Sequence, residues 1–356
     1  MANFHRNEIA GLQGTSEFRS LRDDLADLRA KAPAGVVDPT VIALPDKSEQ
    51  GQNIHAMRLG KNPAMPILIA GCHHAREWIS VEVPFLIAKF LIENYGTDAQ
   101  VRRLVDASDI WIVPMVNPDG HEHSVLHERM WRKTRPTDPT RHAVDPNRNY
   151  DTTTWGSPTG HFSDTPSSDI YRGPSPGYAK EVIAMQNLIT STKFKVTLDY
   201  HSYGRFVLFP WAGRIGPHPD AKQDEMAAHL KQVIDTKGQT YTKIPASALY
   251  PQIAGVPPAQ GVVTGGMLDF VVEHVSEAIA ITVELEPGID DPRGFALPES
   301  EIDPAFALHR ASILTLLNCI STIRVSPPTR KLTLRQGAAT DLTVFQQDCA
   351  KVFAAY

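Results

Sequence analysis

Side chains suited to metal binding follow the first strongly apolar run of the sequence. Residues 65–70 form that run, and His74, Arg76 and Glu77 come shortly after it. An imidazole nitrogen and a carboxylate oxygen three positions apart can face one ion, and zinc accepts both kinds of donor. Many His-x-x-Glu pairs are simply solvated, so the pair alone is weak evidence. A metal site here needs a further ligand from elsewhere in the chain.

His201 can supply that ligand. It follows a second apolar run, residues 194–200, and the carboxyl ends of strands form the edge of an open α/β sheet where ligands bind. Two histidines and one carboxylate would leave a coordination position for water. Two alternatives stay open: His201 is packed rather than ligating, or His73 ligates in place of His74. The His-x-Arg-Glu register favours His74.

The chain also offers a base and a cation for hydrolysis. Bound zinc lowers the pKa of water to about 7, and hydrolysis then needs a carboxylate that moves protons and a cation beside the developing oxyanion. Glu284 stands near the end of the apolar run 279–285, at the same predicted sheet edge, and Arg132 lies in the basic segment 129–135. Taken singly, a strand-end glutamate and a solvated basic face are the ordinary interpretations of these residues.

Short apolar runs alternate with helical patterns along the chain. The runs predict strands buried on both faces of one sheet, at residues 65–70, 110–116, 194–200 and 278–283. The helical patterns cover residues 17–32, 81–95, 178–192, 220–236 and 304–321. This alternation predicts a single α/β domain with a central sheet and helices on both faces. Residues 135–176 and 245–266 are predicted to be long loops, and loops of that length are usually functional.

Composition excludes several classes of protein. The 356 residues are 42% hydrophobic and 21% charged, which predicts a globular chain with a large core rather than disorder or a fibre. A net charge of −5 gives no reason to expect a nucleic-acid or membrane partner, and no apolar run is long enough to span a bilayer.

Cys72, Cys319 and Cys349 lack CxxC spacing and are expected to remain thiols. The start of the sequence has no secretory h-region, so the expected location is cytoplasmic, or extracellular if a signal peptide has been removed.

Eight short blocks occur along the chain in the order found in a known family. They are Gly71-x-His-His-Ala-Arg-Glu-Trp-Ile79, Asn117-Pro-Asp-Gly120, Arg129-Met-Trp-Arg-Lys-Thr-Arg135, Asp145-Pro-Asn-Arg-Asn149, His201-Ser-Tyr203, Gly265-Gly266, Thr282-Val-Glu-Leu285 and Gly294-Phe-Ala-Leu-Pro298. The chain therefore resembles the zinc metallocarboxypeptidases of the carboxypeptidase A/B type. Each block is weak alone, but their common order makes chance agreement negligible. The strongest match covers residues 60–323, which implies a mixed, twisted central sheet of the carboxypeptidase type, a catalytic domain over residues 1–323 and a C-terminal extension of unknown role at 324–356.

The resemblance implies roles for the residues singled out above. One zinc ion would be held by His74, Glu77 and His201. Glu284 would be the base that activates the water on zinc, and Arg132 would stabilise the tetrahedral oxyanion. The substrates implied are the C-termini of peptides or proteins.

Further positions match the family's contacts with substrate. Asn147 and Arg148 match the pair that grips the terminal carboxylate, a task suited to the planar guanidinium fork. Asp145 matches the carboxylate that orients the first zinc histidine. The next subsite would be lined by Arg76, Ser202 and Tyr203, although a structural salt bridge is the alternative for Arg76.

The pocket for the C-terminal side chain determines the expected specificity. The matching positions are Leu208, Ala212, Gly266, Leu268 and Thr282. A member specific for basic residues would carry a carboxylate where Leu268 stands, because a buried cationic head without a partner costs several kcal/mol. The resemblance thus implies a preference for aliphatic or aromatic residues. Asp269 is adjacent, so an alignment shifted by one residue would reverse this conclusion.

The chain departs from the family at the mobile tyrosine that closes on the substrate carboxylate. The family places this tyrosine about four residues before the Gly-Gly pair, where this sequence has Gly261. The expected residue is Tyr250, whose Ala-Leu-Tyr-Pro context is similar to the family's. Residues 252–263 would then be an inserted Pro/Gly loop at the rim of the site. Glu286-Pro287 replaces the family's Arg-Asp after the base, which leaves the chemistry intact.

The residues and the resemblance together predict a zinc carboxypeptidase that removes hydrophobic C-terminal residues. One competing hypothesis is an amidohydrolase on the same scaffold, acting on peptidoglycan stem peptides or N-acyl amino acids. Such substrates would need polar or cationic groups where Leu208 and Leu268 stand. Another is a catalytically silent protein that binds peptide C-termini, but such a protein would be expected to have lost Glu284 or a zinc ligand.

Overall fold

The computed structural model describes residues 21–32, 40–216 and 218–322 of the chain. The first helix, α1, spans Leu21–Ala30, so the start of the predicted 17–32 helix lies outside the described residues. The predicted extension at 324–356, Cys349 and the side chain of Cys319 lie outside them as well.

The described residues form one mixed sheet of eight strands. The strands are β1 (Thr40–Lys47), β2 (Asn53–Gly60), β3 (Pro66–Gly71), β4 (Asp109–Val113), β5 (Val196–Gly204), β6 (Phe206–Phe209), β7 (Thr242–Pro245) and β8 (Ile279–Gly288). Their order is β1-β2-β4-β3-β5-β8-β6-β7. The neighbours β4, β3, β5 and β8 are parallel, whereas β1, β2 and β6 introduce antiparallel pairs. The four predicted strands are the four parallel strands at the centre.

Helices cover both faces of this sheet. They are α2 (Ile79–Asn94), α3 (Ala99–Asp106), α4 (Pro118–Leu126), α5 (Lys180–Thr192), α6 (Lys222–Asp235), α7 (Leu249–Ala254), α8 (Pro258–Gly261), α9 (Met267–His274) and α10 (Ile302–Thr322). Successive residues of a strand point to opposite faces. Accordingly, Ile67 and Ile69 belong to a core with α2, α6 and α10, and Leu68 belongs to another with α5 and α9. The predicted α/β architecture is confirmed.

The strand register brings the candidate residues to one edge. Gly71, the last residue of β3, is opposite Tyr200 of β5, and His201 is opposite Glu284 of β8. The segment that contains His74 leaves β3 at this same edge. Parallel strands therefore place residues more than two hundred positions apart beside one another.

The prediction of a continuous loop at 245–266 was wrong in part. Two short helices, α7 and α8, interrupt it. The prolines Pro251 and Pro258 lie in the first turns of these helices, where the missing N–H costs no hydrogen bond. The segment 135–176 is irregular as predicted, apart from a single 3₁₀ turn at Pro146–Arg148. None of the helices in the described residues is long and apolar enough to cross a membrane.

Candidate metal centre and active-site pocket

Three buried side chains converge at the carboxyl edge of the sheet. Glu77 places Oε1 2.7 Å from Nδ1 of His74 and Oε2 3.0 Å from Nδ1 of His201. The two Nδ1 atoms are 3.1 Å apart. Two imidazoles and one carboxylate are a donor set that zinc accepts. The structure thus brings together the three ligands predicted from the sequence.

The far sides of both imidazoles are fixed by carboxylates. Nε2 of His74 lies 3.1 Å from Oδ1 of Asp145, and Nε2 of His201 lies 2.9 Å from Oδ2 of Asp199. A neutral imidazole has one N–H, and donation of that N–H to a carboxylate leaves Nδ1 as a bare acceptor. Two bare acceptors 3.1 Å apart repel each other unless a cation lies between them. The residues present therefore fit a metal ion.

His73, the alternative ligand, contacts different groups. Its Nδ1 lies 3.1 Å from Oδ1 of Asp199 and its Nε2 lies 2.7 Å from the hydroxyl of Tyr150. His73, Asp199 and His201 form a second cluster close enough to hold an ion. His74 and Glu77 line the pocket, whereas His73 does not. The cluster that reaches the pocket is therefore the one that contains His74.

Asp145 also holds Arg132. Its Oδ2 accepts hydrogen bonds from Nε and Nη2 of Arg132, at 3.1 and 2.8 Å. Burial alone would raise the pKa of Asp145, but Arg132, Arg148 and His74 hold it well below the usual range. Asp145 is therefore ionised and couples the metal centre to the cation proposed for the oxyanion.

Glu284 faces the pocket beside this centre. Burial raises the pKa of its carboxyl to about 8, with the charge of Glu77 adding to the effect and His201 and Arg132 opposing it. A carboxyl with a raised pKa is a stronger proton acceptor once it is ionised, and it can return the proton that it takes up.

Arg148 lines the same pocket and is held by three hydrogen bonds. Its Nε donates to the backbone oxygen of His161 at 2.7 Å, its Nη1 to the backbone oxygen of Asn147 at 2.9 Å, and its Nη2 to the hydroxyl of Tyr250 at 3.2 Å. Arg148, Asn147 and Tyr250 all line the pocket. Asn147 is fixed in turn, because its Oδ1 accepts the backbone N–H of Met267 at 2.9 Å. The structure places the hydroxyl of Tyr250, the residue expected to close on the substrate carboxylate, against Arg148.

The five residues predicted for the side-chain pocket all line this cavity: Leu208, Ala212, Gly266, Leu268 and Thr282. Asp269 does not line it, because its two carboxylate oxygens accept the backbone N–H groups of Ala212 and Gly213, each at 2.8 Å. Among the described residues, the only carboxylates that line the pocket are Glu77 and Glu284 of the metal centre.

Arg76, Ser202 and Tyr203 also line the pocket. The guanidinium of Arg76 is 3.0 Å from Asp169 and stacks 4.5 Å from the ring centroid of Phe295. Tyr203 meets the same ring edge-on, at 4.9 Å between centroids. The salt bridge considered for Arg76 is present, and the side chain still reaches the pocket.

Residues 40–312 match the family model described as zinc carboxypeptidase. The chain belongs to the zinc carboxypeptidase family. It is 31% identical over 287 residues to metallocarboxypeptidase A of Trichophyton rubrum, covering 77% of this chain and 64% of that protein. It is 32% identical over 248 residues to carboxypeptidase A4 of Mus musculus, covering 68% of this chain and 55% of that protein. The chain thus spans less than two thirds of the length of these relatives.

Solved structures show the same fold. Bovine thrombin-activatable fibrinolysis inhibitor, in complex with tick carboxypeptidase inhibitor, superposes with a TM-score of 0.73 at 22% identity, over 85% of this chain and 96% of that one. Carboxypeptidase A from Helicoverpa armigera gives a TM-score of 0.71 at 21% identity, over 86% and 74% of the two chains. At these identities the similarity shows that the folds are alike and nothing more.

Asp199 and His161 contact residues of the site in this zinc carboxypeptidase family member, but they were not predicted from the sequence. Asp199 stands two positions before His201 on β5, and residues two apart on a strand share a face, so a signal was present. His161 lies in the irregular segment 135–176, and its sequence context gave no signal. The pocket also includes the aliphatic residues Ala246, Leu249, Ile253 and Val263, which stand in the segment predicted as a loop.

Proposed function

We propose that this protein is a zinc-dependent carboxypeptidase that hydrolyses the C-terminal peptide bond and prefers aliphatic or aromatic C-terminal residues. One observation carries the proposal. One pocket is lined by His74 and Glu77, by the buried Arg148 and by aliphatic side chains. Leu268 is one of them, and the resemblance implies an acid at this position in a basic-specific member. The substrates would be peptide or protein C-termini.

In this proposal Arg148 selects a free C-terminus. Three of its nitrogens are already engaged, yet each terminal nitrogen carries two hydrogens. The remaining hydrogens of Nη1 and Nη2 can donate to the two oxygens of a terminal carboxylate. Tyr250 and Asn147 flank the same position. An amidated C-terminus would present no anion to this arginine.

The chemistry would divide among a zinc ion, a base and a cation. A zinc ion held by His74, Glu77 and His201 would supply Lewis acidity at the scissile carbonyl. Glu284 removes a proton from the attacking water and delivers it to the amide nitrogen as the C–N bond breaks. Arg132 donates hydrogen bonds to the oxyanion. Asp145 keeps that guanidinium in place through its two hydrogen bonds.

The competing hypotheses predict different pockets or different outcomes. A stem-peptide amidase or an N-acyl-amino-acid hydrolase needs polar partners for its substrate, whereas Leu208 and Leu268 present only aliphatic surface. A silent binder would recognise a peptide C-terminus without cleavage, but it would not need a carboxylate such as Glu284 in the pocket. The domain limits 1–323 and the cytoplasmic location stay predictions.

The test compares a blocked dipeptide ending in phenylalanine with its C-terminal amide. Release of phenylalanine from the acid, little release from the amide, loss with a chelator and recovery with zinc are expected. Equal release from acid and amide would contradict the role of Arg148. No release by protein that holds one zinc per chain would favour the amidohydrolase or the silent binder.

A further inference from the structure

The ring of Tyr250 is stacked on the ring of His161. Their centroids are 3.5 Å apart and their planes differ by 18°. His161 also supplies the backbone oxygen that accepts from Nε of Arg148 at 2.7 Å. A single residue of the segment 135–176 therefore contacts both the arginine and the tyrosine at the carboxylate end of the pocket.

The segment that carries Tyr250 is anchored at its far end as well. The backbone N–H of His161 donates to the carbonyl of Val262 at 2.7 Å, and the N–H of Val263 donates to the carbonyl of Ala212 at 2.8 Å. Gly261 of α8 packs directly on Pro251 of α7, where a Cβ would lie 2.3 Å from the proline ring. These contacts join the two short helices to each other and to the pocket wall.

The charge state of His161 is compatible with this position. Burial and the nearby cations Arg148 and Arg132 lower the pKa of its imidazole to about 4. A neutral ring stacks on Tyr250 at neutral pH without repelling the guanidinium of Arg148. The hydroxyl of Tyr250 then lies 3.2 Å from Nη2 of that guanidinium.

We propose that His161 is a positioning residue that holds Tyr250 against Arg148 before substrate arrives, so that the site for the terminal carboxylate is preformed. The inference rests on the proposed function, because that function has Arg148 bind the terminal carboxylate of the substrate. A preformed site avoids the cost of ordering a loop and a side chain on binding. In this chain the tyrosine would therefore stay in place rather than close from a distance.

The test uses His161→Ala, which removes the ring and keeps the backbone oxygen, and His161→Phe, which keeps a ring that can stack. The probe is 3-phenylpropionate, an aromatic carboxylate that is not hydrolysed, with binding to zinc-loaded protein measured by calorimetry. An aromatic pair is worth about 0.5–1.5 kcal/mol, so His161→Ala should weaken binding and raise KM roughly two- to tenfold. Its kcat should stay within about twofold, because the reacting groups are untouched. His161→Phe should bind nearly as the unchanged protein does.

Two further measurements separate positioning from a general effect on structure. In a Tyr250→Ala background, His161→Ala should have little additional effect, because the residue acts through Tyr250. His142→Ala removes an exposed histidine from the same segment and should change neither binding nor the melting temperature.

The inference would be overturned if His161→Ala bound the probe normally, or if the alanine and phenylalanine variants were equally impaired. Additive effects in the double variant would also overturn it. The binding assay needs no turnover, so its result stands apart from that of the proposed function. Unchanged protein that binds the probe but releases no amino acid would contradict the proposed hydrolysis alone.

Discussion

Leu268 and Asp269 are consecutive residues of α9, but only Leu268 faces the substrate pocket. Asp269 turns its carboxylate to the backbone N–H groups of Ala212 and Gly213. The acid next to Leu268 in the sequence is thereby committed to the pocket wall rather than to a substrate. This relationship underlies the proposed preference for uncharged C-terminal side chains.

Leu268→Asp should move specificity toward basic residues. An acid at this position would pair with a terminal lysine or arginine and would be poorly solvated beside phenylalanine. We expect kcat/KM for a substrate ending in Phe to fall at least about tenfold and the Arg-to-Phe ratio to rise about 100-fold. Leu268→Asn is the matched control, because it introduces a polar side chain of the same shape without a charge, and it should not raise the ratio. An equal rise of the ratio in both variants would contradict pairing with a charged acid at this position.

Glu284→Gln should remove the general base while keeping the shape of the side chain. We expect kcat to fall about 10²- to 10⁴-fold. Zinc content should be unchanged, because Glu284 is not among the proposed ligands. Full activity in this variant would exclude Glu284 as the base.

Asp199→Asn should weaken metal binding. The carboxylate of Asp199 lies 2.9 Å from Nε2 of His201, and loss of such a partner typically costs about 10- to 100-fold in metal affinity. Competition with a chelating dye measures the change directly. Asp303→Asn, at an exposed position of α10, should have no effect. Equal affinity in the Asp199 variant would show that this carboxylate does not support metal binding through His201.

Glu181 should make stability depend on pH. Its side chain is buried, Oε1 accepts the backbone N–H of Glu49 at 2.9 Å, and burial raises its pKa to about 8, with Asp119 and Glu49 contributing. Between pH 4.5 and 8 the unfolded chain has lost this proton while the folded chain keeps it. The unfolded state then binds fewer protons, so this group's contribution to stability is lost as pH rises through that window.

Glu181→Gln should remove this dependence, because the amide can keep the hydrogen bond from Glu49 and carries no titrating proton. We expect the variant to match the unchanged protein near pH 5 and to exceed its free energy of unfolding near pH 9 by on the order of 2 kcal/mol. Denaturant titrations at both pH values test this. Glu93→Gln, at an exposed position of α2, should show the same pH dependence of the free energy of unfolding as the unchanged protein. If Glu181→Gln and the unchanged protein had the same pH dependence of the free energy of unfolding, Glu181 would be ionised in the folded protein at neutral pH.

The central strands and the metal ligands could be predicted from sequence for related physical reasons. Strands β3, β4, β5 and β8 are buried on both faces and read as continuous apolar runs. Their parallel arrangement places whatever follows them at one edge, which is why His74, His201 and Glu284 could be grouped without coordinates.

The peripheral elements gave weaker signals. Strand β2, Asn53–Gly60, alternates buried and partly exposed positions, and β6 and β7 each have only four residues. The helices α7 and α8 are short and contain prolines, so their composition predicted a loop. Contacts between distant irregular segments, such as His161 on Tyr250, depend on tertiary packing and have no local pattern.

The most direct test of the account is a matched pair of blocked dipeptides ending in Phe and in Arg, with zinc content measured on the same sample. The account predicts release of phenylalanine, little release of arginine, and loss of activity when zinc is removed. Preferential release of arginine, or release that persists without metal, would contradict it.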